Sequence, residues 1–145
     1  MEITHTSLGK IKEEEFPEEN LIINADDLGI CIERDSGIFE LFQKKLISSA
    51  SIMVNGGSFE SAVRKARELR LPLGIHLNLT EGEPTNKSNI EFNTLVKYDE
   101  NTRKYVMHGK FGFRELLKAK KINMSFIKNE LIHQVKLMLL RSFYL

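Results

Sequence analysis

Leu21-Ile22-Ile23-Asn24-Ala25-Asp26-Asp27-Leu28-Gly29 is the stretch on which the fold turns. Three consecutive large apolar residues give way to a polar run holding two adjacent carboxylates. A short unbroken apolar run predicts a strand buried on both faces, as strands of a parallel sheet are. The carboxylates then fall at the strand's carboxyl end, where open α/β sheets and barrels place their ligands. Gly29 permits a turn, and beyond it Asp35 and Ser36, both good N-cap residues, precede Ile38, Leu41, Phe42 and Leu46 at helical spacing, which predicts a helix over about 35–45.

The same alternation continues outward. Ile47 to Val54 reads as a second strand, released at Asn55-Gly56-Gly57 before Ser58 caps a helix whose apolar face is Phe59, Ala62, Val63, Ala66 and Leu69. Pro72 closes that helix, and Leu73 to Leu79 alternates apolar with small or polar residues as a third strand. Strands separated by helices imply βαβ crossovers, hence a parallel sheet in an α/β fold, either doubly wound or part of a barrel. Residues 80–108 read as a long functional loop whose strand signals near 92–98 and 104–107 fit a hairpin. Helical pattern follows over 113–119 and 125–142, with Ile127, Leu131, Val135, Met138 and Leu139 as the inner face of the second helix.

Composition narrows the function classes. The 145 residues suit one domain, and 41% hydrophobic with 28% charged residues is globular composition. No apolar run approaches the roughly 20 residues of a membrane span, and no signal segment opens the chain, so no membrane association and a cytoplasmic location are expected. The single cysteine, Cys31, fits a reducing compartment and reads as a small buried hydrophobe. Residues 1–20, with six acidic side chains against two basic, read as a flexible acidic leader. Residues 101–145 are strongly basic, but their lysines interleave with apolar residues at helical spacing, so a solvated helix face is expected and no nucleic-acid partner.

Asp26 and Asp27 repel each other unless a cation or basic neighbour holds the charge; the bland alternative is an Asx turn or helix cap. His76, between Ile75 and Leu77, is by itself a satisfied core histidine or a ligand. An Asp and a His brought into one crevice make half of an O/N divalent-metal site. A phosphoryl-accepting receiver domain also carries an acidic pair after its first strand, but the third strand here offers His76 and Asn78 and no acceptor Asp. Asn55-Gly56-Gly57-Ser58 lacks the lysine of a P-loop and reads as an ordinary strand-to-helix turn.

Ile22-Ile23-Asn24-Ala25-Asp26-Asp27-Leu28-Gly29, Ser51-Ile52-Met53-Val54-Asn55 and Gly74-Ile75-His76-Leu77-Asn78-Leu79-Thr80-Glu81-Gly82-Glu83-Pro84 together resemble the signature segments of the YdjC-like carbohydrate, or chitooligosaccharide, deacetylases. The resemblance spans about 21–140. It implies metal-dependent hydrolases on a (β/α) barrel-like fold that remove acetyl groups from N-acetylated sugars, with residues 21–145 as the N-terminal portion of such a domain. By the same resemblance Asp26 is the catalytic base, and Asp27 and His76 are two metal ligands. The implied cofactor is a divalent ion, Mg first, with Zn, Mn or Co also accepted by such donors.

The sequence departs from the family's pattern in one respect. A further ligand is expected from a histidine-rich segment following the helix over 128–141, and neither His108 nor His133 fits that motif. A closed barrel takes roughly 250 residues, so the expectation is an incomplete barrel, C-terminally truncated, whose open edge an oligomeric or other partner would cover. The alternative to an active enzyme is then a catalytically silent form acting as a binding or regulatory fragment.

Overall fold

The computed structural model describes residues 21–143; the acidic leader expected over 1–20 lies outside the described residues. The elements run β1 (Asn24–Leu28), α1 (Ile32–Gln43), β2 (Ser49–Ile52), α2 (Phe59–Leu69), β3 (Leu73–Ile75), β4 (Val96–Asp99), β5 (Lys104–Met107), α3 (Gly109–Lys118) and α4 (Met124–Phe143). β1, β2 and β3 form a parallel sheet in that order, with Asn24 beside Ser49 and Ser51 beside Gly74. This is the expected α/β arrangement, an open βαβαβ unit of the kind that begins a barrel. β4 and β5 pair antiparallel as the hairpin expected inside the long loop.

One sheet face is apolar and packed. Ala25, Leu28, Ala50, Ile52, Leu73 and Ile75 meet Ile38 of α1, the Phe59, Ala62, Val63 and Ala66 face of α2, and Leu137 and Met138 of α4. Period-two alternation sends Asn24, Asp26, Ser49, Ser51 and Gly74 to the other face, which no helix of the described residues covers. That polar face would be the interior of a barrel. A second cluster, around Leu95, Val96, Met107 and Ile122, joins the hairpin to α3 and α4.

Several local expectations are corrected. The apolar run Leu21 to Ile23 is exposed, Ile22 to 78%, and β1 begins only at Asn24, so the acidic pair lies inside the strand. Alternation is why: one face of the three-stranded sheet is covered, so the strand that fits is half-buried. Helix α1 starts at Ile32 behind an exposed Cys31, not at Asp35, which is buried within it. On α4, Val135 and Leu139 are exposed and the fully buried positions are Glu130 and Gln134. No helix among the described residues is long and apolar enough to cross a membrane.

Candidate metal and base site

β1 and β3 flank β2 and the three end together, Leu28 beside Ile52 and Ile52 beside Ile75; His76, the first residue after β3, reaches across β2 to Asp27. The backbone makes this possible. Asp27 adopts a left-handed conformation, φ 66°, and the β1–β2 register shifts between Ala25 and Leu28. Aspartate tolerates that region better than most residues because its short polar side chain bonds locally. The irregularity breaks the alternation, so the two neighbouring carboxylates need not point to opposite faces.

His76 Nδ1 lies 3.2 Å from Asp27 Oδ1, and the Asp27 backbone N–H donates to the same nitrogen at 3.3 Å. One proton decides which contact is favourable: protonated Nδ1 donates to the carboxylate, whereas unprotonated Nδ1 accepts from the amide. Arg34 Nη1 donates to the other oxygen, Asp27 Oδ2, at 2.5 Å. These groups, with Met53, Asn78 and Thr80, line a cavity of about 530 Å³.

Asp26 is held separately. Its Oδ1 accepts from Ser51 Oγ at 2.5 Å and from Asn24 Nδ2 at 2.8 Å, and Asn24 in turn accepts from Ser49 Oγ. Oδ2 takes no hydrogen bond from a described residue, so it faces water on the polar sheet face. Asp26 is exposed and lies outside the cavity lining, whereas Asp27 and His76 are brought together as expected.

The donor set suits a divalent cation. An aspartate oxygen and an imidazole nitrogen are the ligand types such ions take, and two ligands at about 2.0–2.2 Å from one ion stand roughly 3 Å apart. No third His, Cys, Asp or Glu joins them among the described residues. His108 lines a different cavity beside the hairpin, and His133 sits on α4 with its Nδ1 buried and unpartnered among the described residues. Burial pushes the His108 imidazole below its ordinary value against the backbone acceptors Thr94 and Val96, which favour the charged ring.

Two supports escape a reading of the sequence. Asp35, buried in α1, accepts from the Gly29 N–H at 2.6 Å and from Ser58 Oγ at 2.6 Å, fixing the turn that follows Asp27. Gln134 accepts the Asn78 N–H through Oε1 and donates through Nε2 to the Asn78 carbonyl, while Glu130 accepts from the Thr85 and Asn86 amides. Asn78 also donates to the Glu81 carbonyl, so α4 clamps the whole loop after His76. The available signal was a Glu and a Gln four residues apart, hence on one face of a helix. For Arg34 it was a basic residue in the first turn of a helix, where the dipole disfavours it unless a carboxylate is near.

A family model described as YdjC-like protein matches residues 20–140. A carbohydrate deacetylase of Xenopus laevis is 37% identical over 123 residues, covering 85% of this chain and 38% of that protein. One of Mus musculus is 37% identical over 120 residues, covering 83% and 37%. A chitooligosaccharide deacetylase of Serratia marcescens is 41% identical over 68 residues, covering 46% and 27%. A crystal structure of an Enterococcus faecalis protein provisionally assigned to cellobiose-phosphate cleavage superposes with TM-score 0.65 at 25% identity, covering 83% of this chain and 44% of that one. The chain thus spans less than two-fifths of the length of these curated relatives. With the family model matched over residues 20–140, the chain belongs to the YdjC-like family.

Proposed function

We propose that the chain carries the base and two metal ligands of a carbohydrate deacetylase, a hydrolase cleaving the N-acetyl amide of a sugar or short oligosaccharide. The observation that supports this reading best is the meeting of Asp27 and His76, 3.2 Å apart, across β2. A divalent ion held by these two residues, Mg or another that accepts O and N donors, supplies Lewis acidity toward the amide carbonyl and a nucleophilic water. Asp26 takes the water's proton at Oδ2, the oxygen its neighbours leave open, while Ser51 and Asn24 hold Oδ1. The hydroxyl adds to the acyl carbon, the C–N bond breaks, and the amine leaves with the proton that Asp26 took from the water, giving acetate and the free amino sugar. The lone cysteine fits a cytoplasmic setting for this chemistry.

The test is acetate release from N-acetylated chitooligosaccharides with Mg, Mn, Zn or Co supplied. Asp26→Asn should abolish turnover while leaving ion binding intact. Undiminished release in that variant would remove Asp26 as the base, and ion uptake unaffected by Asp27→Asn would remove the metal assignment.

A further inference from the structure

We propose that Arg34 is a positioning residue for Asp27, fixing which carboxylate oxygen faces His76; the proposal rests on the metal reading above. A free aspartate side chain turns about its last bond and presents either oxygen, or both, to an ion. Here Oδ2 is taken by the guanidinium, and Oδ1 is left 3.2 Å from the imidazole Nδ1. The carboxylate plane is therefore held by two contacts from two different elements, α1 and the segment after β3. Asp27 needs such a hold. Its left-handed backbone sits where the strand register is broken, so the ladder that locks β1 elsewhere does not fix this residue.

Arg34 is anchored for the task. It stands one residue before Asp35, whose buried carboxylate ties α1 to the Gly29 amide and to Ser58. The helix turn bearing Arg34 is thereby registered against the chain that leaves Asp27. The Arg34 side chain stays half exposed, at 48%, so its ion pair contributes little to overall stability and its removal should not unfold the protein. A partner that hydrogen-bonds a ligating carboxylate sets ligand orientation, and losing it typically costs about 10–100-fold in metal affinity.

The experiment is calorimetric titration of the full chain with Mn2+, comparing wild type, Arg34→Met and Arg34→Lys, beside long-range 1H–15N spectra of the His76 imidazole without metal. Arg34→Met should bind Mn2+ roughly 10-fold or more weakly. Arg34→Lys, which keeps reach and a donor, should recover part of the loss. The His76 Nδ1 resonance should move in Arg34→Met with no metal present, which a purely structural role would not require. Tighter Mn2+ binding by Arg34→Met would make the guanidinium a repelling charge and overturn the proposal, as would an unmoved Nδ1 resonance. A wild-type chain that takes up no Mn2+ would overturn the metal reading beneath it, and the metal-free spectra tell the two failures apart.

Discussion

Asp27 and His76, 49 residues apart in the chain, touch at 3.2 Å across the strand that separates theirs. The pair exists because β1 carries an extra residue where its register against β2 shifts, between Ala25 and Leu28, and His76 is the first residue after β3. Binding of a divalent ion at the pair should stabilise the fold, by about 2.7 kcal/mol at a free concentration 100 times Kd. Thermal unfolding should shift upward with Mn2+, return with a chelator, and show no shift in Asp27→Asn or His76→Ala.

Asp35→Ala should destabilise the protein by about 2–3 kcal/mol, since it strands the Gly29 amide and removes two hydrogen bonds to a buried carboxylate. Urea unfolding measures this. The loss should exceed that of Ser36→Ala on the exposed side of the same helix turn, expected within about 0.5 kcal/mol.

The two faces of α4 give a sharper contrast. Gln134→Leu leaves both backbone groups of Asn78 without partners and should cost about 2–3 kcal/mol, although it replaces a polar residue by an apolar one in a buried place. Val135→Ala, at a position 40% exposed, should cost less than about 1 kcal/mol. The opposite order would mean that the apolar residues, and not the polar clamp, fasten this helix.

Gly56 packs against the turn after Asp27. A Cβ there would stand 2.0 Å from the Gly29 carbonyl oxygen, so Gly56→Ala forces backbone to move and should cost about 1–3 kcal/mol. Gly74→Ala, with nothing within 4 Å of the added carbon, should be nearly neutral in the same unfolding assay.

His108 predicts a pH dependence. Burial lowers its folded pKa below the ordinary imidazole value of 6.5, so the unfolded chain binds protons more readily. Its contribution to stability is then full above that ordinary value and falls as pH drops from there toward the lower folded value. Denaturation midpoints should decline across that window, and His108→Gln should flatten the decline.

The order of strands and helices was legible because hydrophobic period switches cleanly between two and 3.6, and because Gly56-Gly57 and Pro72 punctuate it. Asp27 and His76 were legible as an acidic group and an imidazole at two parallel strand ends. The start of β1 was not, since three apolar residues look buried whether or not a second layer covers them, and Leu21 to Ile23 have none. Arg34, Asp35 and Gln134 were hidden for a different reason: each acts through a side-chain hydrogen bond to a residue outside its own helix, which leaves no periodic trace in the chain.

The left-handed backbone at Asp27 decides which variants are informative there. Lengthening the side chain by one methylene, the change a chemist would consider mildest, places a residue without aspartate's local bonding in a region that costs L-residues about 1–2 kcal/mol. Asparagine is at home in that conformation and has the same shape. Of the conservative replacements, Asp27→Asn alone therefore subtracts a charge without also bending the strand, and Asp27→Glu would confound ligand chemistry with backbone strain.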